Sequence, residues 1–215
     1  METPKDPLSI NDRIREGLSR VAMAMRIDEW NKAKATGLNP TQLAILGLLE
    51  GRGPDGLGVK DVAAHLGVSQ PTATDSINAL ERKGLLEKRT DAADRRAVRV
   101  AVTEEGRRTL KEAEGRESLA EKAVAALDET AQADLLLTLV KLIRHLQEAG
   151  AIPVQRMCVT CRHFAPFAHA DAARPHHCHF VDAAFGQPDL RIDCREHEEA
   201  DPASRAATRD AFSTG

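Results

Sequence analysis

Residues 59–90, VKDVAAHLGVSQPTATDSINALERKGLLEKRT, decide the fold. Val59, Val62, Ala63 and Leu66 recur at i, i+3, i+4 and i+7, the spacing that lines one face of a helix. Gly67 follows where a left-handed C′ residue belongs. Only Val68 separates it from Ser69, whose hydroxyl suits the N-cap of a second helix. In that helix Ala73, Ile77 and Leu80 form a core-facing stripe, and Gln70, Thr72, Thr74, Asp75, Asn78 and Arg82 fall largely outside it. Gly84 stops the helix and residues 85–90 read as a strand. Two helices joined by so tight a turn, then a strand, predict a helix-turn-helix whose second helix keeps a polar face free.

The flanks complete the pattern. Residues 97–102 alternate Val98, Val100 and Val102 with Ala97, Arg99 and Ala101, a second strand. Between the strands lies the polar, basic loop 91–96, DAADRR. Upstream, Asn39, Pro40 and Gln42 predict a helix start with a capping box, and Leu43, Leu46 and Leu49 give that helix its buried stripe. Gly-rich residues 51–58 end it. A first helix runs to about residue 34, capped near Ser9 and Asp12, with Leu18, Val21, Ala22 and Met25 on one stripe. Residues 103–150 read as helical, capped by Thr103, broken near residues 127–129, and carrying a seam of Leu135, Leu139, Leu142 and Leu146 at coiled-coil-like steps. The fold class is mainly α with a small β-hairpin wing (α+β).

Such an arrangement suits duplex DNA. A helix fits the major groove, where each base pair shows its own donor and acceptor pattern. Ser69, Gln70, Thr72 and Thr74 suit phosphates or base edges, and Gln70 and Asn78 can pair bidentately with adenine. Arg95 and Arg96 stand at the loop tip, with Asp94 placed to hold one of them, and are candidates for an adjacent minor groove. The charge distribution agrees. The chain's net charge is −3, yet residues 82–99 hold seven Lys or Arg against three Asp or Glu.

Residues 59–89 resemble the MarR family of regulators. So does DRRAVRVAVTEEG, residues 94–106, close to that family's wing pattern of Asp-Arg-Arg followed by Leu-Thr-x-x-Gly, with Val102 in place of the Leu. The resemblance covers residues 8–150. It implies a homodimer joined by its first and last helices and reading a pseudo-palindromic operator. It also implies a repressor whose DNA affinity falls when a small-molecule effector or an oxidant acts. An ordinary member of that family stops near Gly150; this chain continues.

Beyond about residue 151 the composition changes. All four cysteines, six of the eight histidines and four of the five phenylalanines lie between residues 151 and 197. The pattern is Cys158-x2-Cys161-x16-Cys178-x15-Cys194. A Cys-x-x-Cys knuckle lets two thiolates reach one ion, and tetrahedral zinc takes four such ligands. Zinc is the first expectation, and an iron–sulfur cluster is the rival, since it too is held by four thiolates. Phe164 and Phe180 are placed to cover the site, while His163, His176, His177, His179 and His197 are stand-in ligands for a cysteine. His65 and His145 read as partly exposed helical residues, not ligands. The expected organisation is residues 1–150 as a winged helix-turn-helix with dimerisation helices at both ends, 151–200 as a metal-binding segment, and 201–215 as a disordered tail.

Competing functions fare worse. A thiol oxidoreductase at Cys158 and Cys161 would need a βαβ pattern around the motif, and a zinc hydrolase would need His-Glu-x-x-His; neither is present. A protein-interaction module remains the other alternative, and the basic wing argues against it. No apolar run approaches a membrane span, and the N-terminus lacks a signal-peptide pattern, so the expected location is the cytoplasm.

Overall fold

The computed structural model describes residues 8–90, 98–115 and 118–214. Its first helix, α1 (Ile10–Ala35), starts where the Ser9 hydroxyl accepts from the Asp12 amide. Next, α2 (Pro40–Glu50) opens on the expected capping box between Asn39 and Gln42. A short strand, β1 (Leu57–Gly58), leads into α3 (Val59–Leu66), which ends on Gly67 at φ 63°, ψ 29°. Ser69 caps α4 (Gln70–Arg82). The hairpin follows as β2 (Leu86–Thr90) and β3 (Val98–Val102). These three strands form one antiparallel sheet in the order β1-β3-β2, with Leu86 opposite Val102 and Thr90 opposite Val98. The wing tip with Asp94, Arg95 and Arg96 lies outside the described residues.

One core serves this lobe. Ile45, Leu46 and Leu49 of α2 meet Val62 of α3, Ile77 and Leu80 of α4, and Val100 and Val102 of β3. Leu43, expected in the α2 stripe, packs at its edge instead, and Ile45 takes the centre. The residue missing from that reading was the one next to the stripe, because α2 is apolar on more than one side.

Residues 103–150 break twice rather than once. Helix α5 (Glu104–Glu114) is capped by Thr103, α6 (Leu119–Ala125) by Ser118, and α7 (Glu129–Glu148) by Asp128. The unexpected break before α6 is joined to α1 from a distance. Asp28 of α1 accepts from the Ser118 hydroxyl at 2.6 Å and the Ala120 amide at 2.9 Å. These donors, Ser118 foremost, hold the Asp28 carboxyl below its ordinary value of 3.8. Lys32 adds an ion pair to Glu121.

The remainder is a second small lobe. Strands β4 (Phe164–Ala165), β5 (His176–Cys178) and β6 (Ala183–Phe185) form an antiparallel sheet in that order. Its core joins Met157, Val159, Phe164 and Leu190 to Val140 of α7, with Leu136, Leu137 and Ile143 alongside. The expected disordered tail is corrected here. Residues Pro202–Thr214 form a helix, α8, because Phe212 inserts among Phe164, Phe167 and His176 and is 3% exposed. Among the described residues, no helix is long and apolar enough to cross a membrane.

Candidate functional site

Helix α4 divides as its sequence predicts. Ala73, Ile77 and Leu80 are buried, while Ser69, Gln70, Thr72, Asp75 and Arg82 are exposed and Thr74 and Asn78 half-buried. The Ser69 hydroxyl accepts from the Thr72 amide and lies 2.8 Å from the Thr72 hydroxyl. Thr74 donates back to the Gln70 carbonyl, so its hydroxyl is partly spoken for. Asn78 is not free-standing either. Its Oδ1 accepts from Lys88 Nζ of β2 at 2.6 Å, and the same ammonium reaches Glu81 at 2.7 Å. Lys88 thus adds a cation beside α4 that sequence inspection passed over. Its only signal was a basic residue on an exposed strand. At the base of the wing, Arg99 donates to the Gly56 carbonyl at 3.0 Å and Arg89 reaches the Pro54 carbonyl, tying the hairpin to the loop before β1.

The four cysteines come together at the other end of the molecule. Cys158 and Cys161 bracket one turn of 3-10 helix, with the Cys161 amide donating to the Cys158 carbonyl at 2.9 Å. Cys178 closes β5, opposite Phe164 and Ala183. Cys194 lies on the loop beyond a second 3-10 turn at Gln187–Asp189. All four are half-buried, unpaired by disulfides, and line one cavity of about 130 Å³. Phe164 and Phe180 line it too, as expected, with Phe185 and Val181. The Arg191 amide donates to Cys158 Sγ at 3.3 Å and its guanidinium to Cys194 Sγ at 3.6 Å. Burial pushes the Cys158 thiol up, and the three other cysteines push it the same way. Among the histidines, only His163 lines this cavity. His176 is buried against Phe164, Phe167 and Phe185, where desolvation lowers its pKa. His197 pairs with the Thr160 hydroxyl. Both therefore hold structural partners rather than facing the thiols. Arg191 was missed in the sequence, where its position three residues before Cys194 was the available hint.

Residues 36–97 match the MarR family. Over that stretch the chain is similar to the winged helix of that family. Over 99 residues it is 32% identical to the transcriptional repressor MprA of Escherichia coli K12, covering 44% of this chain and 56% of that protein. The matched part therefore spans little more than half of that relative. The uncharacterized HTH-type transcriptional regulator YkoM of Bacillus subtilis 168 is 36% identical over 78 residues, 36% of this chain and 49% of its own. A MarR transcriptional regulator from Methanosarcina mazei Go1 shares the fold with a TM-score of 0.56 at 19% identity, over 64% of this chain and 99% of that one. CouR from Rhodococcus jostii RHA1, solved bound to p-coumaroyl-CoA, gives 0.53 at 26% identity over 68% of this chain and 96% of its own.

The winged-helix lobe and the cysteine lobe touch at α2. Gly51, its C-cap, has no side chain, and a Cβ there would come within 2.9 Å of the Arg156 guanidinium and 3.3 Å of Asp193. Arg156 and Asp193 form an ion pair at 2.7 Å, and the Cys194 amide donates to the Arg156 carbonyl. Arg52 stands among the same charges, its pKa lowered first by burial and then by Arg156. Cys194 is therefore the chain neighbour of Asp193, which lies against the C-terminal end of α2.

Proposed function

We propose that this protein is a transcription regulator that binds duplex DNA as a homodimer, most simply as a repressor. The observation that carries this is α4. A fully buried stripe fixes the helix, and Gln70, Thr72, Asn78 and Arg82 are left on the outside, backed by Lys88. That is the geometry a major-groove helix requires. Arg95 and Arg96 serve the minor groove in this reading. The two-fold symmetry of a homodimer calls for a pseudo-palindromic operator. Relatives and fold neighbours that are transcription regulators support the reading and speak against an enzyme.

The dimer reading draws on an unspent surface. Leu135, Leu142 and Leu146 of α7 are 39%, 38% and 40% exposed, and Leu18 and Val21 of α1 are 42% and 56% exposed. Exposed apolar stripes on the first and last helices of a winged-helix lobe fit a second copy of the chain. A small-molecule effector between these helices and the DNA-binding lobe, and a cytoplasmic location, complete the proposal. The finer part concerns the C-terminal lobe, where Cys158, Cys161, Cys178 and Cys194 would bind a metal centre, either structural or sensing.

Fluorescence anisotropy with duplexes drawn from the gene's own upstream region tests the regulator reading. Binding of a defined site should weaken by roughly a thousandfold or more between 50 and 200 mM salt if six or more phosphates are contacted. Equal affinity for every duplex at all salt concentrations would overturn it.

A further inference from the structure

Four thiols on three separate stretches of chain line one cavity. A structural zinc site is closed: four sulfurs sit about 2.3 Å from the ion, and thus about 4 Å from one another, with no free volume between them. Here the four cysteines border a cavity of about 130 Å³. Among the described residues, no three His, Cys, Asp or Glu side chains gather tightly enough to hold one ion. The thiols therefore frame a space for a body larger than a single ion.

The surroundings agree with that size. Phe164, Phe180 and Phe185 wall the cavity with apolar surface. Two donors from Arg191, its amide and its guanidinium, point at the sulfurs of Cys158 and Cys194. A dry wall plus N–H donors to the ligating sulfurs is what holds and tunes a multi-iron centre. Only one of the two halves of the pattern is a Cys-x-x-Cys knuckle; Cys178 and Cys194 approach singly, from a strand end and a loop.

We propose that Cys158, Cys161, Cys178 and Cys194 hold an iron–sulfur cluster rather than one zinc ion. The proposal rests on the reading of these four residues as ligands of one group. Assembly from two ferrous ions, two ferric ions and four sulfides forms one Fe–S bond to each cysteine with no net change of oxidation state, and releases the four thiol protons to solvent. Arg191 is a positioning residue whose donors settle charge on two of the four sulfurs.

The test is metal and sulfide content, with a visible spectrum, on the full chain purified without oxygen, before and after incubation with ferrous iron, ferric iron and sulfide. The expected result is a brown protein with about four iron and four sulfide per chain, or about two of each for the smaller cluster. Cys178→Ser and Cys194→Ser should each lose most of the iron while zinc does not replace it. One zinc per chain with no iron uptake overturns the cluster and leaves a four-cysteine metal centre standing. Neither metal before or after reconstitution, with four thiols titrating freely in the native chain, overturns both. Operator binding, measured separately, decides the regulator reading whichever of these results is obtained.

Discussion

Gly106, in the first turn of α5, shows how a single missing side chain fixes the wing. A methyl group there would run into the Leu85 carbonyl oxygen and come within 2.7 Å of Val102 Cγ1. Both neighbours belong to the base of the hairpin, so neither can retreat without moving a strand. Gly106→Ala should cost about 1–3 kcal/mol, as overpacking does, and thermal unfolding measures it. Asn78→Ala should cost about 1–3 kcal/mol at one base pair and flatten the preference there, whereas Lys88→Ala should weaken all sequences alike and reduce the salt slope by about one. Binding assays on a panel of single-base operator variants separate the two. Asp28 gives a pH signature. Its carboxyl is held low by Ser118 and Ala120, so its contribution is complete above its ordinary value of 3.8 and is lost as pH falls through the lower folded value. Asp28→Asn should be less stable at neutral pH and show a flatter loss in acid, as followed by denaturant titration. Local partners such as Ser9, Asn39, Ser69 and Thr103 are legible in sequence because the bond spans three residues. Asp28 with Ser118 spans ninety, and no local pattern announces it.

At the scale of elements, α7 carries two apolar faces. Leu135, Leu139, Leu142 and Leu146 make the seam its spacing predicts. Leu136, Leu137, Val140 and Ile143 make a second face that packs on the cysteine lobe. Only the first was legible, because Leu, Val and Ile on adjacent positions blur the period that would reveal the second. Helix α8 was hidden for the opposite reason. Its sequence is polar and rich in Ala, and one residue, Phe212, does the anchoring. Phe212→Ala removes a buried ring from among Phe164, Phe167 and His176, and losses of this kind run to about 3–5 kcal/mol. Hydrogen exchange should show α8 opening first, with α2 to α4 unchanged. Most of the winged helix was legible, from the Gly67 turn to the Val98–Val102 alternation, with β1 and the central place of Ile45 the exceptions, because tight turns and half-buried strands leave strong local marks. The cysteine lobe was legible in its clustered cysteines and not in its architecture, since short strands of two or three residues carry no period.

For the molecule as a whole, the exposed leucines of α7 and the stripe on α1 belong to a surface that one chain leaves bare. Leu142→Glu should shift the chain toward monomer in sedimentation and weaken binding to a full operator far more than to a half-site. The contact at Gly51 bears on how the whole molecule matures. The ribosome delivers Asp193 about 140 residues after α2, on the order of ten seconds later at ordinary elongation rates. For the later part of that interval the winged-helix lobe, which runs to Val102, has been made while Arg156 and Asp193 have yet to reach it. Every newly made chain thus passes through a period as a bare winged helix, and docking of the cysteine lobe on Gly51 marks the end of that apprenticeship.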